Sequence, residues 1–230
     1  MTKRIGESTG LPQSTGGPPS PPGPPPPFQP ASYIFVLNQF HIDNTRSVDQ
    51  DTDTVSFAVK IGQQMMGDPQ IKHMGDVDNG DHPVNLQFGP FLIDNPATPV
   101  VMNFAIINNG HAAQKDLDNA LVQAGASIAA LAIGGASGWV VIAKKIIEFL
   151  GGIIFADCDG PVAGDQIEFT GDSLHAQTAR FNTLTETRNY PGTDSSTGCG
   201  SNSMYSVTWS VLRVPPDPSH AIFVGRPAVT

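Results

Sequence analysis

The chain has 230 residues and a formal net charge of −9, and charged side chains make up only 14% of its residues. Because no basic patch is available to neutralise phosphates, the composition excludes nucleic acid as a partner. Seventeen aspartates stand against four glutamates, a bias that favours turns over helices and is typical of an extracellular or particle-surface β-protein.

The N-terminal sequence MTKRIGESTG has basic residues but no apolar stretch behind them, so no secretory signal peptide is recognised. From the composition we expect the protein outside the cell or on a particle surface. The chain is then either leaderless or exported by a route that needs no such signal, and the alternative is a truncated sequence.

Residues 1–30 form a proline-rich arm, because ten of the 21 prolines lie in residues 11–30. Proline fixes φ and lacks a backbone donor, so we expect an extended polyproline II rod rather than part of a core. Three collagen-like triplets are too few for a triple helix, and the alternative is a disordered spacer. Contacts with neighbouring subunits are assigned to Pro18, Pro19, Pro21, Pro22, Pro24, Pro25, Pro26, Pro27 and Phe28.

Residues 31–230 are predicted to be one antiparallel β-sandwich of about seven or eight strands, since apolar and polar residues alternate along many segments. Residues 54–61 and 205–211 alternate most regularly, and each is predicted to be a strand with one buried face. In the second, Trp209 is assigned to the core. Asn79-Gly80 is typical of a hairpin turn. Further strands are predicted at residues 33–37, 84–88, 100–107, 167–170 and 178–184.

Acidic residues alternate along the chain just before the first regular strand. In an extended segment alternate side chains share a face, and carboxylates that converge repel one another unless a cation neutralises them. We therefore predict calcium binding, although turn capping by aspartate is the alternative reading and the spacing is not that of an EF-hand. The predicted ligands are Asp49, Asp51 and Asp53, with Asp76 and Asp78 in a second acidic cluster.

Cys158 and Cys199 are the only two cysteines. In an extracellular chain they would form one disulfide that closes a loop of about 40 residues, and the alternative is two free thiols. Neither lies in the CxxC spacing of a zinc or redox site.

Residues 116–155 change to a helical period and are predicted to be a helical hairpin inserted between strands. Residues 119–143 contain no formal charge, so one reading is a membrane-inserting element. Polar residues and glycines interrupt this run, which favours two helices packed on a sheet face.

No catalytic motif accompanies the six histidines, so we expect no enzyme activity and no established cofactor apart from calcium. The sequence favours a structural or interaction protein that assembles with copies of itself into a filament, particle or surface layer. The alternative is a membrane-active or pore-forming effector that uses the residue 117–155 hairpin. A secreted hydrolase is the third hypothesis, and it comes last because no constellation of catalytic residues supports it.

Overall fold

A computed structural model describes residues 27–47, 50–110, 114–130, 144, 148, 158–191 and 202–214. Within these ranges nine strands form two antiparallel sheets, which confirms the predicted sandwich with a helix inserted between strands. The strands are β1 (Ala31–Asn44), β2 (Asp51–Ile61), β3 (Gln64–Met65), β4 (Gln70–Val77), β5 (Gly80–Ile93), β6 (Pro99–Asn108), β7 (Gly160–Thr170), β8 (Thr183–Pro191) and β9 (Met204–Val214). The helices are α1 (Gln114–Ala130) and α2 (Gly171–Thr178).

The four-stranded sheet has the order β5-β1-β9-β8, and the five-stranded sheet has the order β3-β2-β6-β7 with β4 also paired to β2. The core between them is aromatic: Tyr33, Phe35, Phe57, Phe104 and Trp209 are buried in one cluster. Trp209 is fully buried and meets the Phe169 ring edge-on at 6.0 Å between centroids, so its assignment to the core is confirmed.

Strands β1 and β9 of the four-stranded sheet alternate between buried and partly exposed residues over most of their length. Large apolar side chains point into the core, whereas small hydroxyl-bearing and aliphatic residues point outward. This pattern is expected of a sheet with one face packed and one face open.

In the five-stranded sheet, β2 is buried on both faces from residue 53 to residue 59, which corrects the prediction that residues 54–61 have one exposed face. Ser56 and Ala58 point away from the core and are nonetheless buried, as is Asn103 on the neighbouring β6. Helix α1 covers them, and the Asn103 Nδ2 amide donates to the Gly125 carbonyl of α1 at 3.2 Å. Small side chains on this face allow the helix backbone to approach closely.

Helix α1 places Leu117, Ala120, Leu121 and Ala124 against the sheet, a spacing of three and four residues that gives one apolar stripe. The first helix of the predicted hairpin is therefore present, and it begins at Gln114. The predicted turn and most of the second helix lie outside the described residues. Lys144 and Glu148 are helical and exposed.

Two local predictions are wrong. Residues 178–184 are not a strand, because α2 ends at Thr178 and β8 begins only at Thr183. The Thr170 hydroxyl accepts a hydrogen bond from the Ser173 amide, and the Ser173 hydroxyl accepts one from the Thr170 amide. This capping box starts α2.

Asn79-Gly80 joins two strands closely, but it does not make a hairpin. Strand β4 pairs with β2 and β5 pairs with β1, so the chain crosses from one sheet to the other at this turn. Gly80 has a φ of 131°, a conformation that side chains rarely adopt.

Side chains bridge the two sheets where their edge strands lie next to each other. The Gln70 side chain of β4 bonds both the amide and the carbonyl of Gln87 in β5. At the opposite edge, Asp165 of β7 accepts from Arg188 at 2.7 Å and from Tyr190 at 2.9 Å, both on β8. The Gln70 contact occupies backbone groups of β5 that would otherwise be available for pairing with another chain, and the Asp165 contacts join side chains only.

Candidate binding and assembly sites

A cluster of buried polar residues lies at the end of the sandwich where β2 begins and β6 ends. Asp51 is its centre and accepts four hydrogen bonds. Its Oδ1 accepts from the Ser47 amide at 2.7 Å and from Asn108 Nδ2 at 3.0 Å. Its Oδ2 accepts from the Arg46 amide and from the Tyr205 hydroxyl, each at 2.7 Å. Both oxygens of this carboxylate are therefore occupied by donors.

Asp53 lies beside Asp51, and its Oδ2 is 2.9 Å from the same Tyr205 hydroxyl. Burial, followed by the charge of Asp51, raises the pKa of Asp53 well above its usual value, although the Tyr205 hydrogen bond opposes this shift. A phenol carries one proton and cannot donate to two carboxylates at once. The raised pKa favours a proton on Asp53, which would let Asp53 donate to the Tyr205 hydroxyl while that hydroxyl donates to Asp51.

The loops around this cluster are tied to it through the backbone at Cys158. Arg46 Nε donates to the Cys158 carbonyl at 2.9 Å, and Asn108 Nδ2 donates to the same oxygen at 3.0 Å. Gly160 follows with a φ of 151°, and a Cβ there would come within 3.2 Å of the Arg46 guanidinium. Burial lowers the pKa of Arg46, partly offset by the charges of Asp51 and Asp159.

The structure brings together only part of the predicted calcium ligand set. Asp51 and Asp53 share the inward face of β2, whereas Asp76 and Asp78 are exposed. Asp76 lies opposite Thr52, whose hydroxyl donates to it at 2.7 Å. Asp49 lies outside the described residues.

Among the residues that the structure describes, no group of three or more histidine, cysteine, aspartate or glutamate side chains is arranged to hold a metal ion. Calcium would have to displace donors from Asp51 or recruit ligands beyond the described ranges. Calcium binding stays a prediction.

Cys158 is disulfide-bonded in the structure. Cys199, the other cysteine of the sequence, lies outside the described residues, so its pairing with Cys158 stays a prediction.

The root of the proline-rich arm lies at the opposite end of the sandwich from the acidic cluster. The Phe28 ring packs on the His175 ring of α2, with 5.6 Å between the centroids. His175 is only 3% exposed, and neither ring nitrogen has a hydrogen-bond partner among the described residues. Phe28 and Pro27 are the only predicted assembly residues within the described part of the chain. Residues 1–26 lie outside it.

In the described part of the chain, no helix combines the length and the apolar content required to cross a bilayer. The apolar stripe of helix α1 packs against the five-stranded sheet. This arrangement agrees with the packing interpretation of the inserted segment, as far as its first helix extends.

From the sequence, Tyr205 is predicted only as part of a strand, and no binding role is predicted for Arg46, Asn108 or His175. A signal for the acidic pair was nevertheless present. The alternation that points Val55 inward also points Asp53 and Asp51 inward when it is continued toward the N-terminus. Partners on β6, β9 and the loops could not be found in this way, because they come from distant parts of the sequence.

Comparison with known proteins finds no matching protein-family model and no matching curated protein. The function proposed below therefore rests on the geometry of the chain itself.

Proposed function

We propose that the protein is a non-enzymatic structural protein that assembles with copies of itself into a filament, particle or surface layer. In this proposal the proline-rich arm contacts the neighbouring subunit, and the sandwich is the body that the arm connects.

The observation that carries the proposal is the anchored root of the arm. Phe28 rests on the buried His175, and β1 starts three residues later, at Ala31. Strand β1 is a central strand, paired with β5 on one side and β9 on the other. A proline-rich arm joined to such a strand through a packed root has a defined point of departure. Fixing that point in advance lowers the entropic cost of reaching a neighbour.

The strand register adds support. Ser32 near the start of β1 pairs with Val214 at the end of β9, so the chain enters and leaves the sandwich at adjacent positions. Both sequence extensions thus start from the same end of the four-stranded sheet, remote from the acidic cluster.

The test is a comparison of sedimentation profiles. A variant that lacks residues 1–26 keeps Phe28 on His175 and should remain folded while losing most of the assembly. A second variant keeps the arm length but replaces the prolines before residue 27 with glycine and serine, and it should lose assembly too if stiffness matters. A full-length protein that stays monomeric at high concentration, or an unchanged profile after the deletion, would refute the proposal.

A further inference from the structure

We propose that the outer face of the four-stranded sheet is the surface on which a second copy of this chain docks, face to face. This inference rests on the proposed self-assembly and names the surface that carries it.

The centre of this face has an unusual chemistry for a sheet that meets water. On this face, serine and threonine side chains of β8 and β9 lie opposite one another in rows across the two strands, which we call the hydroxyl rows. Aliphatic residues of β1 lie next to them: Val36 pairs with Ser210, and Ile34 pairs with Leu212. The described residues of the rows through Thr208, Ser210 and Leu212 carry no formal charge, although the chain as a whole carries −9. The row through Ser206 continues to His41 on β1 and Asp81 on β5. Sheet faces kept in solution normally intersperse charged side chains. The hydroxyl rows consist of Thr183, Thr185, Thr187, Ser206, Thr208 and Ser210.

The hydroxyl rows are held in place before any partner arrives. Thr185 and Ser210 are hydrogen-bonded at 2.9 Å, and Thr187 and Thr208 at 2.8 Å. Each pair uses one donor, and because Ser210 is only 5% exposed, the further hydrogen-bonding capacity that a partner can reach lies on Thr185, Thr187 and Thr208. Side chains fixed in this way lose little rotamer freedom on association.

Charge favours a second copy as the occupant. Two negatively charged bodies repel each other unless they meet through a neutral patch, and a patch of hydroxyl and aliphatic groups is complementary to itself. The charged residues His41, Asp43 and Asp81 lie together at one end of the face, where His41 Nδ1 and Asp81 are 2.8 Å apart. They therefore do not interrupt its centre.

The area of the outer face is close to the area that one partner buries in a stable dimer. Four strands spaced about 4.8 Å apart and ten residues long offer about 650 Å². A standard stable interface buries about 800 Å² on each partner. The face therefore supplies most of the area of such an interface.

The experiment introduces a charge at the centre of the face in the full-length chain. Thr208→Lys should raise the dimer dissociation constant, measured by sedimentation velocity, at least tenfold. Gln123→Lys adds the same charge on the exposed side of α1 and should leave the constant unchanged. Thr208→Val keeps the size of the side chain and serves as a second variant, in which a methyl group replaces the hydroxyl that bonds Thr187.

The outcomes separate this inference from the proposed function. If the wild type assembles and Thr208→Lys assembles equally well, the face is not the docking surface and self-assembly through the arm stands. If the wild type is monomeric at all concentrations, both fail. If Thr208→Lys and Thr208→Val lower the melting temperature of the monomer, while Gln123→Lys does not, the chain's own terminal segments cover the face and the second-copy proposal is overturned.

Discussion

The five-stranded sheet carries α1 on its outer side, whereas no described element covers the outer side of the four-stranded sheet. The two outer faces are similar in sequence, since both are rich in serine, threonine and small residues. Their environments differ: Ser56 and Asn103 are buried under the helix, whereas Ser206 and Thr208 remain partly exposed and only Ser210 of the hydroxyl rows is buried. Small polar residues on a strand therefore indicate either a close-packed helix or an open binding face, and the pattern of a single strand does not distinguish the two.

The strongest test of this comparison is a charge placed between α1 and the covered sheet. Leu121 is fully buried, so Leu121→Asp should cost more than about 5 kcal/mol, the sum of lost apolar burial and an unpaired buried charge. Circular dichroism and urea denaturation would measure the loss. Gln123→Asp on the exposed side of the same helix should change stability by less than about 0.5 kcal/mol. A folded, stable Leu121→Asp variant would show that α1 does not depend on the sheet.

The two sides of the open sheet can be compared at adjacent residues. Trp209 fills the core and Thr208 points outward, so Trp209→Ala should destabilise the monomer by about 3–5 kcal/mol and Thr208→Ala by less than about 0.5 kcal/mol. Both values come from chemical denaturation at a protein concentration below assembly. Similar losses for the two variants would mean that the outer face is as tightly packed as the core.

The covered sheet should also respond to pH through Asp53. Its pKa is raised well above 3.8, mainly by burial. Well below pH 3.8, the unfolded-state pKa, the carboxyl is protonated in both the folded and the unfolded chain, and its contribution to stability is fully present. As the pH rises, the unfolded chain ionises first, so this contribution is lost up to the folded-state pKa. Asp53→Asn should remove this loss of stability, because asparagine does not ionise.

Urea denaturation across this pH range would measure the effect. The exposed Asp76→Asn is the matched control and should follow the wild type. If the wild type and Asp53→Asn showed the same pH dependence, Asp53 would be ionised in the folded protein and the proton assignment in the Asp51–Tyr205–Asp53 chain would be wrong.

Calcium binding has the smallest expected effect on stability, and it tests the exposed acidic residues at the β4 edge of the five-stranded sheet. At a calcium concentration ten times the dissociation constant, binding to the folded state alone would add about 1.4 kcal/mol, seen as a higher melting temperature. Asp76→Asn and Asp78→Asn should abolish the increase if these exposed carboxylates are ligands. Equal melting temperatures in millimolar calcium and in chelator would refute calcium binding.

Several features were predictable because they depend on neighbours in the sequence. The alternation of residues 205–211 identified a strand with Trp209 inside, and the three-four spacing after Leu117 identified α1. The acidic alternation correctly predicted that Asp51 and Asp53 share a face. Each of these inferences needs only the backbone period of one element.

The errors have a common cause in longer-range structure. Asn79-Gly80 has the local chemistry of a hairpin, but its two strands find partners in different sheets. Residues 178–184 have a strand-like composition, but the capping box at Thr170 starts a helix that runs into them. Local propensity favours a type of secondary structure, but the packing and pairing partners available elsewhere in the chain decide which element forms.

By itself, the sequence determined the class of the fold, the inward register of the main strands and the position of the proline-rich arm, because these follow from residue period and backbone chemistry. Only the tertiary structure decided that β2 is covered on both faces, that Tyr205 joins Asp51 to Asp53, and that Phe28 rests on His175. Those contacts bring together residues up to 154 positions apart. Burial, and with it the protonation of Asp53, depends on which distant segment excludes water, and no local pattern contains that information.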